Sequence, residues 1–194
     1  MRAAVHEDFP HSWKAQILST PPLIAPARQF VYPLPVPGEE DAMGRGAMLL
    51  EVKPATGGTF LATCALGFRG ASLPSGAFAC PQADDLLAVA GGYAYLVDTL
   101  EPAKCLHLPL RPVASILAAP EEGLLLLAGF HHIVAIGVAG IEWESERLSW
   151  EGVAMTEVVG GALHGTGWHM QSDRDVPFVL DLRTGKHSGG GFGR

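Results

Sequence analysis

The chain has 194 residues, with 13 Lys and Arg against 20 Asp and Glu and no cluster of basic residues. A formal charge of −7 argues against nucleic acid as a partner, because phosphate affinity needs concentrated cationic surface. It argues against anionic membrane headgroups for the same reason, and the length suits one domain that buries a core without disulfides or metal.

Residues 1–38 stand apart in composition. Met1 to Ala15 carry His, Glu, Asp and Pro where a secretory leader needs an unbroken apolar run, so none is expected. Six prolines follow at 21, 22, 26, 33, 35 and 37, which forbids helix and argues against regular strand pairing. Leu23, Ile24, Phe30, Val31, Tyr32, Leu34 and Val36 are interleaved with them. The segment therefore reads as an extended arm that lays apolar side chains on its own domain or on a second copy. Residues 39–194 read as one β-repeat domain with a short Gly-rich C-terminal tail. A polar break from Pro37 to Gly46 precedes a strand at Ala47 to Lys53, a hairpin loop at Pro54 to Gly58 and a strand at Thr59 to Leu66.

A phrase then recurs: an apolar run closing on Gly and an aromatic residue, at Gly92-Tyr93, Gly129-Phe130 and Gly167-Trp168. The steps of 37 and 38 residues match one four-stranded unit of a repeat architecture. Second β-type runs follow at Tyr93 to Asp98, His131 to Ile136 and Val176 to Asp181. No window sustains a helical period between 24 Gly and 15 Pro, so the fold class is all-β, β-propeller-like or an open array of about three to four small antiparallel sheets. The run Asp181-Leu182-Arg183-Thr184-Gly185-Lys186, with a looser copy at Asp98 to Lys104, resembles the hinge between the third and fourth strands of WD40-like and quinoprotein-like β-propeller blades. The resemblance spans residues 84 to 190. It implies a blade-type fold and no activity, because those families share none.

Chemistry-bearing residues are sparse. His131 and His132 are adjacent, and on a strand their side chains point to opposite faces, so they do not converge on one ion. The densest polar group is His164, Trp168, His169, Asp173, Arg174 and Asp175. Gly165 and Gly167 exclude the helix on which an H-x-x-x-x-H spacing would chelate, and Asp173 and Asp175 lack the Gly and distal Glu of an EF-hand loop. Glu142, Glu144 and Glu146 alternate on one strand face and read as hydrated. No G-x-S-x-G elbow, phosphate loop or catalytic Cys context occurs. Cys64, Cys80 and Cys105 read as buried reduced thiols of a cytoplasmic protein.

The candidate binding residues are thus His131, His164, Trp168, His169, Asp173 and Asp175, with no catalytic residue, cofactor or metal expected. The leading reading is a non-catalytic β-repeat protein acting through protein–protein contact or self-association, as a homo-oligomer. The alternative is a small-ligand or metal-binding protein, hydrolytic in one form, that uses the loop from His164 to Asp175.

Overall fold

The computed structural model describes residues 3–33, 42–68 and 72–192. The described chain is all-β: four small sheets form, none closed on itself, and the only helical turns are 3-10 segments at Ala42–Arg45 and Pro120–Glu122. Two compact units divide it, Met1–Pro112 and Val113–Arg194.

The first unit holds β1 (Ala4–His6), β2 (Lys14–Leu18), β3 (Arg28–Tyr32), β4 (Ala47–Lys53), β5 (Phe60–Ala65), β6 (Gly76–Ala79), β7 (Asp85–Ala90), β8 (Tyr93–Asp98) and β9 (Cys105–His107). Its sheets run β1-β6-β7-β8-β9 and β2-β4-β5-β3. Neighbours pair antiparallel except β1 with β6 and β3 with β5, which are parallel. In β4, Met48, Leu50 and Val52 turn to the core while alternate residues stay half-exposed, the period-two pattern of a strand with one wet face. By contrast, β7 and β8 are buried on both faces, which accounts for their near-continuous apolar sequence. Gly91 and Gly92 join them, with φ of 56° and 80°, as a two-residue type I′ turn that L-residues with a side chain enter poorly.

The described part of residues 1–38 supplies three strands to this unit. Regular pairing was not expected among the prolines, yet Arg28–Tyr32 lies between Pro26 and Pro33 and pairs along β5. Five proline-free residues suffice for a short edge strand, the position at which flanking prolines are tolerated. Its last residue is an anchor: Tyr32 is fully buried, donates its hydroxyl to the carbonyl of Pro102 at 2.6 Å and stacks on Tyr95. Tyr95 in turn donates to the carbonyl of Ala65 at 2.9 Å. Leu34 and Val36 of the expected arm lie outside the described residues.

The second unit holds β10 (Ser115–Ala119), β11 (Leu124–Ala128), β12 (Ile133–Gly137), β13 (Gly140–Glu144), β14 (Val153–Val159), β15 (Ala162–His169), β16 (Arg174–Asp181) and β17 (His187–Gly189). These form two antiparallel four-stranded meanders, β10 to β13 and β14 to β17. Leu124, Leu126, Ile133, Leu163, Phe178 and Leu180 are among the residues of the core between them. A bulge in the pairing of β12 with β13 interrupts the alternation expected for Glu142 to Glu146. Trp143 packs against the core and donates Nε1–H to the carbonyl of Leu182 at 2.7 Å.

The three copies of the Gly-aromatic phrase do not occupy equivalent places. Gly92 and Gly129 fall in the connections between β7 and β8 and between β11 and β12, whereas Gly167 lies inside β15. There a Cβ would collide with the carbonyl oxygen of Leu148, so the glycine answers to close backbone approach and not to a turn. Asp98 and Asp181 do share a role. Each ends a strand and caps the following turn, Asp98 Oδ1 accepting from the backbone N–H groups of Leu100 and Glu101, and Asp181 Oδ1 from those of Arg183 and Thr184. The Thr184 hydroxyl also donates to Asp181, and these bonds hold its carboxyl below the usual carboxylate range.

Of the thiols, Cys64 and Cys80 are fully buried and Cys105 is half-buried; all three are free. Burial pushes all three up, Cys105 to about 12. A thiol reagent in native buffer should therefore label Cys105 before the other two, which should react only on unfolding; mass spectrometry of a labelling time course checks the order. Gly167→Ala should destabilise by at least about 2 kcal/mol in urea denaturation. Gly44→Ala, where a methyl group meets nothing within 4 Å, should change stability by less than about 0.5 kcal/mol.

Candidate functional site

Alternation along β15 decides which polar residues meet solvent together. Leu163, Gly165 and Gly167 are buried on the core side, so His164, Thr166 and Trp168 share the outward face. Pairing sets their neighbours: Trp168 lies opposite Asp175, Thr166 lies between Ala154 and Pro177, and His164 lies between Glu157 and Val179. A bulge between Met155 and Glu157 brings that glutamate to His164.

A hollow of about 450 Å³ opens on this face, lined by Glu151, Gly152, Ala154, Thr166, Trp168 and Asp175. The turn after β15 fixes its aromatic wall. Asp173, at a left-handed φ of 51°, accepts a hydrogen bond from Trp168 Nε1–H at 3.0 Å. His169, one residue on and so on the other face, hydrogen-bonds through Nδ1 to the Ser172 hydroxyl at 2.8 Å.

Trp168 and Asp175 thus line the hollow, Asp173 holds the indole, His164 lies further along the same face, and His169 turns away. His131 stands elsewhere, before β12, where its Nδ1 accepts from Arg147 Nη2 at 3.2 Å. Its neighbour His132 pairs with Glu144 at 3.0 Å, and burial holds that imidazole below its ordinary pKa against the opposing pull of Glu144. Arg147 is itself engaged, donating to the carbonyls of Ser149 and Trp150 and stacking on Trp150 and Phe192. Among the described residues no group of three or more His, Cys, Asp or Glu is placed to hold a metal ion.

Two arrangements depart from the sequence reading or go beyond it: the exposure of Leu23 and Ile24, named above as arm residues that pack on the domain or on a second copy, and the setting of Asp85. In the first unit, Leu23 and Ile24 follow Pro21-Pro22 and precede Pro26, with relative exposures of 105% and 90%. Also there, Asp85 opens β7 directly opposite Asp98 at the end of β8, beside a hollow of about 320 Å³ that Leu96, Lys104, Cys105 and Leu106 also line. Burial first, then the charges of Asp98 and Asp84, push the Asp85 carboxyl up to about 6. The two-residue Gly91-Gly92 turn carries the signal, because it fixes the register that sets residue 85 against residue 98. Such a carboxyl can hold a proton near neutrality, but its neighbouring thiol, Cys105, is held protonated and is no nucleophile.

No protein-family model matches the chain, and no curated protein matches it either. Among the described residues no helix is long and apolar enough to cross a membrane.

A carboxyl raised in the folded state binds its proton more tightly there than in the unfolded chain. Its contribution to stability is therefore full below about pH 4 and lost as pH rises through about 6. The stability of Asp85→Asn relative to the parent should accordingly improve between pH 4 and pH 7.5. Paired urea denaturations at the two values measure this, and a gap independent of pH would contradict the assignment.

Proposed function

We propose that this chain is a non-catalytic β-repeat protein that works by protein–protein contact, first of all with a second copy of itself. The observation that carries the reading is the pair Leu23 and Ile24, two aliphatic side chains held in water on a loop stiffened by Pro21, Pro22 and Pro26. Burying each against a partner is worth roughly 1.5–3 kcal/mol, and proline reduces the ordering cost of docking because the loop has less freedom to lose. Open sheet edges add to the case. The three-residue edge strand β9 presents Leu106 at 48% exposure, and unpaired strand edges favour association with a neighbouring chain.

A hydrolytic or metal-dependent reading has less support. The hollow beside Trp168 is lined by no His, Cys or Ser, and His164 and His169 belong to opposite faces of β15. The three free thiols favour a reducing compartment, the cytoplasm. The blade-like four-stranded units would then serve as scaffolds for surface contact, as repeat architectures do.

Analytical ultracentrifugation over a hundredfold range of concentration tests the proposal. The parent should sediment as a multiple of the single-chain mass, and Leu23→Ser with Ile24→Ser should return it to the monomer with an unchanged far-ultraviolet circular dichroism spectrum. A parent that stays monomeric throughout would overturn self-association, and an oligomer indifferent to the double substitution would remove the loop from it.

A further inference from the structure

Self-association through the Leu23 loop makes no use of the hollow beside Trp168. We propose that this hollow binds an organic ammonium group, with the Trp168 indole as its ring face and the carboxylates of Glu151 and Asp175 as its counter-charge. Three observations converge on that chemistry.

The lining is an indole, two carboxylates, a threonine hydroxyl, the aliphatic Val153 and small residues, with no Lys or Arg among them. Arg174 is adjacent to Asp175 in sequence but points to the other face of β16, and Arg147 is taken up between Trp150 and Phe192. Two negative charges therefore meet the hollow without a protein cation to offset them. The surrounding unit has the same bias: from Val113 to Arg194 the sequence holds ten Asp and Glu against five Lys and Arg.

The indole is fixed, and its donor is spent. Asp173 takes the Nε1–H at 3.0 Å, which leaves Trp168 to act through its ring and not through a hydrogen bond. A ring face beside carboxylates attracts an organic ammonium through the aromatic quadrupole. A neutral polyol would call for donors as well as acceptors, and besides the Trp168 Nε1–H already given to Asp173, Thr166 is the only donor side chain in the lining.

A small hard cation fits poorly. Calcium takes six to eight oxygen ligands, whereas no group of three or more acidic or metal-ligating side chains converges among the described residues. The hollow is wide and shallow, about 450 Å³, so it suits one cationic head group and not the enclosure of a whole molecule. An ammonium group of this kind comes either from a free small amine or from the lysine side chain of a protein.

The test is a titration of the full-length, ¹⁵N-labelled protein at constant ionic strength, followed at the Trp168 indole N–H signal. Choline chloride represents the free amine, Nα-acetyl-lysine amide represents the side chain, and 3,3-dimethylbutan-1-ol is the uncharged isostere of choline. At least one of the two cations should shift the signal saturably, the tighter of them naming the source, while the alcohol should not. Asp175→Asn and Glu151→Gln alter exposed positions, keep the reporter and should each weaken binding about fivefold. Trp168→Leu should abolish the binding, read by calorimetry. A response to the cations no larger than to sodium chloride, an equal response to the alcohol, or undiminished affinity in both carboxylate variants would overturn the proposal.

Discussion

The second unit is organised around one backbone carbonyl. Leu148 O accepts hydrogen bonds from Gly191 N at 2.7 Å and Phe192 N at 3.2 Å, and Gly167 runs so close to it that a Cβ there would collide. The link between the two meanders, the second strand of the last sheet and the C-terminal segment are thereby tied at one point. Ser149 extends the tie: its hydroxyl donates to the carbonyl of Gly152 and accepts from the backbone N–H of Trp168. Because Gly167 is pinned to the core side, Trp168 is set on the opposite face, and the aromatic wall of the hollow follows from the crossing beneath it. A satisfied carbonyl in a dry crossing is worth more than its two bonds, because the alternative is an unsatisfied buried acceptor.

The first unit solves a similar problem with side chains. Its strands β7 and β8 are apolar on both faces, and the hydroxyls of Tyr32 and Tyr95 each reach a loop or strand-end carbonyl, at Pro102 and Ala65. Trp13 does the same from the N-terminal segment, its Nε1–H donating to the carbonyl of Asp85 at 3.0 Å. Long aromatic side chains thus fill volume and satisfy backbone acceptors at once. Through these residues the N-terminal segment is bound into its unit despite its prolines.

Much of the fold was legible because strand signals are local. The expected strand at 47–53 matches β4, that at 93–98 matches β8, and the apolar run at 124–128 is β11. What failed depended on distant partners. Nothing near Arg28 announces that β5 offers it an edge, and nothing near Gly167 announces the carbonyl of Leu148. The candidate site divides in the same way. Trp168, Asp173 and Asp175 cluster in sequence because one hairpin carries them, so composition alone drew attention to them. Glu151 reaches the same hollow from the segment before β14, and no spacing rule joins it to Trp168. The pair Asp85 and Asp98 is legible from sequence alone, since a two-residue turn at Gly91-Gly92 fixes the register between them.

The hairpin turns Gly160-Gly161 and Gly91-Gly92 carry unequal burdens. Gly160 and Gly161 have φ of 57° and 76°, close to those of Gly91 and Gly92. A side chain at Gly160 would project into open space, whereas one at Gly91 would meet the carbonyl oxygen of Phe68 at 2.5 Å. Handedness alone restrains the first turn, and Asn, which tolerates a left-handed backbone, is an acceptable replacement there. Handedness and a neighbouring backbone together restrain the second. Under neutral drift the β14–β15 turn is free to wander among a few residue types, while Gly91 stays glycine, so the two turns would diverge in sequence without diverging in shape.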